Sequence, residues 1–207
     1  MLGPDLIALG QKDRLQWRFF YGCIFIMATP KAGIAWKAFT VADKTYDLSH
    51  LHPTTQTLAI PAKGNAPERH LSLAVSYSLH CFTRRSKEDE SVPNESWYSD
   101  DREQRVFDEI RWQLSFHLPA IVSTLESRRC LHTGHEEFVT VSIIHEGREL
   151  EYAVFFTVSK GKKSGADLNL FINSAHERTE PLKYTKPIRF QFIALNRYLN
   201  KPIKSPV

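Results

Sequence analysis

Over residues 69–84 apolar and polar positions alternate with the period of a β-strand. Leu71, Leu73, Val75, Tyr77, Leu79 and Cys81 hold the odd positions. His70, Ser72, Ala74, Ser76, Ser78, His80 and Arg84 hold nearly all the even ones. Successive side chains of a strand point to opposite faces, so the pattern predicts one face for a core and one lined with imidazoles, hydroxyls and a guanidinium. On this reading His80 shares its face with Ser76, Ser78 and Arg84, and the strand lies at or near the centre of a sheet.

Shorter runs precede it. Residues 36–40 and 45–48 flank a hairpin turn at Asp43-Lys44, residues 49–55 read as a loop, and 56–60 as a strand ended by Pro61. Residues 84–98 are charged, contain Pro93 and read as an exposed loop ending in Trp97 and Tyr98. Asp100 followed by Glu103 has the spacing of a capping box, and Val106, Phe107, Ile110, Leu114, Ile121 and Leu125 recur near helical spacing. The prediction is a helix over about 100–118 and, past the break imposed by Pro119, a second piece to about 127.

The period then returns to two. Residues 138–144, 152–159 and 168–174 predict three strands joined by turns at 146–148 and 161–165, an antiparallel meander, with residues 188–193 as a fourth strand. Strands, then helix, then strands define an α+β domain: an antiparallel sheet with one main helix packed on it.

Composition adds bounds. A chain of 207 residues, 42% hydrophobic and 12% aromatic, can bury a sizeable core. Lys plus Arg number 27 against 23 acids, a net charge of +4 that permits a nucleic-acid partner without requiring one. The cysteines, Cys23, Cys81 and Cys130, are few and odd in number, which points to a reducing, cytoplasmic setting. The apolar run at 19–28 is shorter than the roughly 20 residues of a membrane span and lacks a small-x-small cleavage pattern, so no membrane association is expected. Met27 reads as a second start, which makes 1–26 an upstream extension and 27–207 the domain.

No phosphate-binding Gly-rich loop, dinucleotide fingerprint, His-Glu-x-x-His or Gly-x-Ser-x-Gly occurs. NTPases, dehydrogenases, zincins and α/β-hydrolases are set aside, and no cofactor is called for.

Four constellations remain. His50-Leu51-His52 puts two imidazoles on one side of an extended segment, where His80 or Cys81 could complete a metal site; the alternative is a pair of hydrogen-bonded histidines that orient the chain. Cys130-Leu131-His132-Thr133-Gly134-His135 is loosely metal-like but reads as a helix-to-strand loop. Ser174, His176, Arg178 and Thr179 sit at a strand exit and, with His80 and Arg84, are candidate catalytic residues. Metal-independent RNA cleavage needs a base for the 2′-hydroxyl, an acid for the leaving oxygen and a cation for the phosphorane, and these side chains supply them. The alternative is an ordinary strand exit facing water. Finally, Lys160, Lys162, Lys163, Lys183, Lys186, Arg189 and Arg197 are candidate binding residues for a phosphate backbone. Residues 181–207 carry no acid, and Tyr184, Phe190, Phe192 and Tyr198 are interleaved with the cations.

Two resemblances follow from these residues. The run Tyr46-Asp47-Leu48-Ser49-His50-Leu51-His52-Pro53, followed by His80-Cys81-Phe82-Thr83, resembles a group of uncharacterised bacterial proteins associated with mobile elements and stress responses; it implies no activity. Residues 100–200 are similar in element order to ribonuclease toxins of the barnase and RelE type, which implies a ribonuclease site among Ser174, His176, Arg178 and Thr179. The acid-free basic C-terminus and the polar strand-exit quartet predict a small intracellular RNA-acting protein, a metal-independent ribonuclease toxin or growth regulator. Two alternatives stand beside it: a non-enzymatic protein-binding module of a phage, plasmid or stress system, and a zinc-binding protein.

Overall fold

The computed structural model describes residues 33–133, 137–145, 147–161, 164–178 and 187–203. The reading of Met27 as a second start falls outside them, as do Gly134, His135, Lys162, Lys163, Thr179, Lys183 and Lys186.

The chain opens with a hairpin of β1 (Phe39–Val41) and β2 (Lys44–Tyr46), turned at Ala42 and Asp43 with positive φ. A short 3-10 turn, Ser49–Leu51, stands where a loop was expected, and leads to β3 (Thr54–Ile60) and β4 (Arg69–Tyr77). After a second 3-10 turn, Leu79–Cys81, come β5 (Thr83–Arg84), β6 (Trp97–Ser99) and β7 (Gln104–Phe107). Two short helices follow, α1 (Glu109–Ser115) and α2 (Leu118–Ser123). Then β8 (Arg129–His132), β9 (Glu137–His145), β10 (Arg148–Lys160), β11 (Leu168–Glu177), β12 (Pro187–Arg189) and α3 (Phe190–Tyr198) complete the order.

The main sheet runs β12-β8-β9-β10-β11-β4-β3, and β5-β7-β6 form a smaller one. Every pairing in the main sheet is antiparallel except β4 with β11, which run parallel, Leu73 opposite Leu168 through Tyr77 opposite Ile172. The expected α+β architecture and the meander stand. The parallel join between the two halves of the chain left no trace in the hydrophobic pattern.

The strand predicted over 69–84 ends at Tyr77. Ser78 Oγ accepts from the His80 amide at 3.2 Å and turns the chain into the 3-10 segment, and Thr83 Oγ1 then donates to the Leu79 carbonyl at 2.7 Å. Leu79 and Cys81 are buried, as the alternation required, but by a turn and not by a pleat. His80 and Arg84 therefore do not continue the β4 face, and β4 is the second strand from the edge of the sheet.

The helix predicted from residue 100 is corrected as well. Asp100 Oδ1 accepts from the amides of Arg102 and Glu103, both at 2.9 Å, which makes the turn of the β6–β7 hairpin. An Asx turn and a capping box share the Asp-x-x-Glu spacing, because in both a carboxylate satisfies amides two and three residues on. The helix cap is Asp108, which accepts from the Arg111 amide at 2.9 Å. Pro119 opens the second helix, where its missing N–H costs nothing. The strand expected at 188–193 is β12 and then α3, because Phe190, Ile193 and Ala194 bury at helical spacing. Cys130 and His132 lie buried on β8, a strand where a loop was expected.

The core lies on one face of the main sheet. Leu71, Leu73, Val75 and Tyr77 of β4, Leu168, Leu170 and Ile172 of β11 and Tyr152, Val154, Phe156 and Val158 of β10 all bury there. Phe190 of α3 meets Phe156 with centroids 5.8 Å apart. An aromatic cluster of Trp36, Phe39, Phe82, Tyr98 and Phe107 joins the smaller sheet to this core. Among the described residues no helix is long and apolar enough to cross a membrane.

Candidate functional site

The opposite face of the main sheet, across β4, β10 and β11, is partly open, and most of its side chains there are polar. Register places its side chains in rows across β10, β11 and β4: Ser159 with Asn169 and Ala74, Thr157 with Phe171 and Ser76, Phe155 with Ser174, and Ala153 with His176. Between the second and third rows the β10–β11 register slips by one residue at Phe155/Phe156. Asn173 is the extra residue of this β-bulge. A bulge resets the alternation, so Asn173 and Ser174, adjacent in sequence, are both half-buried between the fully buried Ile172 and Ala175. Asn173 Nδ2 donates to Thr157 Oγ1 at 3.0 Å, which fixes the amide beside the groove.

Three adjoining recesses of about 210, 260 and 360 Å³ run along this face, and all three include Phe171. One rim is the chain at Gly33 and Ile34 together with Arg102. Gly33 is required there, since a Cβ would stand 2.4 Å from Pro53 Cγ. In the recess at one end His80, Glu103 and Arg102 face Phe155, Asn173 and Ser174. His80 Nε2 and Glu103 Oε1 are 2.8 Å apart. At the other end Asn169 keeps a buried Oδ1 with no hydrogen-bond partner among the described residues. A separate recess of about 380 Å³ beside Ala59, Glu68 and Glu126 contains none of the candidate residues.

Of the candidates, then, the structure brings His80 and Ser174 together, with His176 one step along the same face. His176 stacks on Phe155 at 5.4 Å between centroids, and Ser174 Oγ lies 3.4 Å from its Nδ1. Burial, reinforced by the charges of Arg111 and Arg178, holds the His176 pKa down at about 4. The ring is therefore neutral near pH 7. Arg178 follows β11 directly, its amide donating to the Glu151 carbonyl at 2.9 Å. Arg84 instead grips Glu90 with both terminal nitrogens and reaches Asp108 at 3.6 Å, which ties down the 84–98 segment. In that segment Tyr98 is buried and donates to the Lys37 carbonyl at 3.0 Å.

The two-histidine motif is held apart by separate bonds. His50 Nε2 lies 2.7 Å from Ser115 Oγ, whose own proton goes to the Trp112 carbonyl, so His50 is the donor. His52 Nε2 donates to the Trp36 carbonyl at 2.9 Å. The Nε2 of each ring is thereby spent as a donor, and His50 also stacks on Phe116 at 3.9 Å. Among the described residues no group of three or more His, Cys, Asp or Glu side chains gathers to hold a metal.

The described basic candidates lie on three elements, β10, β12 and α3. Lys160 lies over the Tyr198 ring at 5.7 Å, Arg189 sits on the far edge strand β12, and Arg197 belongs to α3. Glu103 and Arg102 belong to the site and were missed. Their Asp-x-x-Glu context read as a helix start, and Glu103 meets a histidine 23 positions away.

Fold and site together define a mixed-sheet α+β protein with a polar, aromatic-floored groove on the open face of its sheet. The model of the YjaZ family matches residues 38–198, and the chain belongs to that family. It is 30% identical over 135 residues to "Protein YjaZ" of Escherichia coli (strain K12), an alignment covering 64% of this chain and 73% of that protein. No solved structure matches.

Proposed function

We propose that the protein acts on RNA inside the cell by binding a single-stranded segment along the open face of the main sheet. The observation that carries this reading is the pair Phe155 and Phe171, half-buried aromatics on neighbouring strands at the floor of one groove. One face of Phe155 already carries a flat ring, His176 at 5.4 Å between centroids, and flat bases stack on such rings whatever their sequence. Around the rings stand groups that hydrogen-bond base edges and ribose: Ser76, Asn173, Ser174 and the unpartnered Asn169 carbonyl oxygen. Arg102, its side chain 66% exposed at the rim and its Nη2 3.3 Å from Asp100 Oδ2, supplies a guanidinium for a phosphate. With few cations at the groove, stacking supplies most of the affinity and the salt dependence is shallow.

Fluorescence anisotropy with short single-stranded RNA, at low and physiological salt, tests this reading. Each base stacked on an aromatic side chain is worth about 1–3 kcal/mol. Phe171→Ala is therefore expected to weaken binding about tenfold or more, and Phe155→Ala with Phe171→Ala further, with unchanged circular dichroism. Absence of binding by the intact protein, or equal binding by the double variant, defeats the proposal. Capture of a protein partner through this face instead would favour the protein-binding module.

A further inference from the structure

Resting on that reading, we infer that the groove also cleaves the RNA it binds, with Glu103 and His80 as the proton-transferring pair and Arg102 on the phosphate. The three side chains come from two places, His80 from the 3-10 turn after β4 and Arg102 and Glu103 from the β6–β7 hairpin turn, and meet in the recess that holds Phe155 and Ser174. They are accessible: the side chains of His80, Glu103 and Arg102 are 33%, 40% and 66% exposed. They are also held from behind. Ser78 Oγ accepts from the His80 amide, Arg111 Nη1 donates to the His80 carbonyl at 3.2 Å, and Asp100 Oδ1 accepts from the Glu103 amide at 2.9 Å. Such bracing of the backbone, with the reactive ends left in the groove, is what a proton-transfer site requires.

RNA carries its own nucleophile, so the protein need only move two protons and stabilise charge. The Glu103 carboxylate takes the proton of the ribose 2′-hydroxyl as O2′ attacks phosphorus. The P–O5′ bond breaks, and protonated His80 gives its proton to the departing O5′. Arg102 lies against the non-bridging oxygens, where negative charge grows. The products are a 2′,3′-cyclic phosphate and a free 5′-hydroxyl, and no metal, water or other reactant enters this step. In the empty groove His80 and Glu103 contact each other at 2.8 Å. The phosphate enters between them and replaces this contact, while Arg105 Nη1 stays 3.6 Å from the other carboxylate oxygen, Glu103 Oε2. Ser174 and Asn173, on the opposite wall of the recess, hold the ribose and base of the same nucleotide.

The test uses a fluorogenic DNA oligonucleotide with one internal ribonucleotide, in excess EDTA, beside an all-deoxy copy. The intact protein is expected to cut only the first, leaving a cyclic phosphate, and His80→Ala and Glu103→Gln each to slow cutting at least about 100-fold. Glu103→Gln is isosteric and serves as the readout should His80→Ala fail to fold, with thermal melts reporting folding of both. Binding without cutting overturns this inference and leaves the RNA-binding proposal in place. Absence of binding overturns both. Cutting that survives both substitutions, or that also severs the all-deoxy strand, overturns the assignment of these residues.

Discussion

His50 and His176 are the residues whose charge the fold controls most visibly. Burial, the largest cause for each, lowers both pKa values from 6.5 to about 4. Between those values the unfolded chain takes up protons that the fold refuses. The stabilisation is therefore complete above about pH 6.5 and is lost as the pH falls through about 4. Thermal melts at about pH 7.5 and about pH 5 are expected to show a lower midpoint at the acid end, with a smaller difference in His176→Gln. An unchanged difference in that variant would place the proton uptake elsewhere. Part of this chemistry was legible in the sequence. The polarity of His80 and Ser174 and their positions near strand ends stood out, but the partner of each did not. Nothing near Glu103 in sequence announces a histidine, and the Ser115 hydroxyl that occupies His50 lies 65 residues away.

At the scale of elements, the patterns with a period of two located β3, β10, β11 and the start of β4 well, because each has one face in the core. They failed where two local chemistries share one spelling. The carboxylate of Asp100 builds a hairpin turn, and the same residue type at 108 caps α1. Asp108→Ala is expected to cost about 1 kcal/mol in urea-induced unfolding, the ordinary value of an N-cap. A loss no larger than that of a typical exposed substitution would show that the cap is dispensable. The bulge at Asn173 lay beyond sequence reading for a different reason: it is a property of the pairing between two strands, and neither strand states it alone. Yet it is the bulge that brings the Asn173 amide and the Ser174 hydroxyl side by side in the groove.

At the scale of the whole molecule, the aromatic cluster decides whether the smaller sheet and the main sheet behave as one body. Trp36 is 4% exposed, donates from Nε1 to the Tyr77 carbonyl at 3.1 Å and packs edge-on against Phe82 and Tyr98. Trp36→Ala is expected to cost about 3–5 kcal/mol and to shift one cooperative transition. Two separated transitions in the intact protein would show that the sheets unfold independently. The parallel pairing of β4 with β11 has a consequence in time. Ser72 binds Asp167 across 95 residues of chain, and Ser76 and Phe171 become neighbours only when those strands join. Long-range pairing of this kind forms slowly, after the entropy of closing the intervening loop has been met. A nascent chain that has not yet released β11 from the ribosome has no groove floor, and neither does a fragment cut before residue 168. Whatever the groove seizes is out of reach of the protein until β11 has been made and has paired with β4.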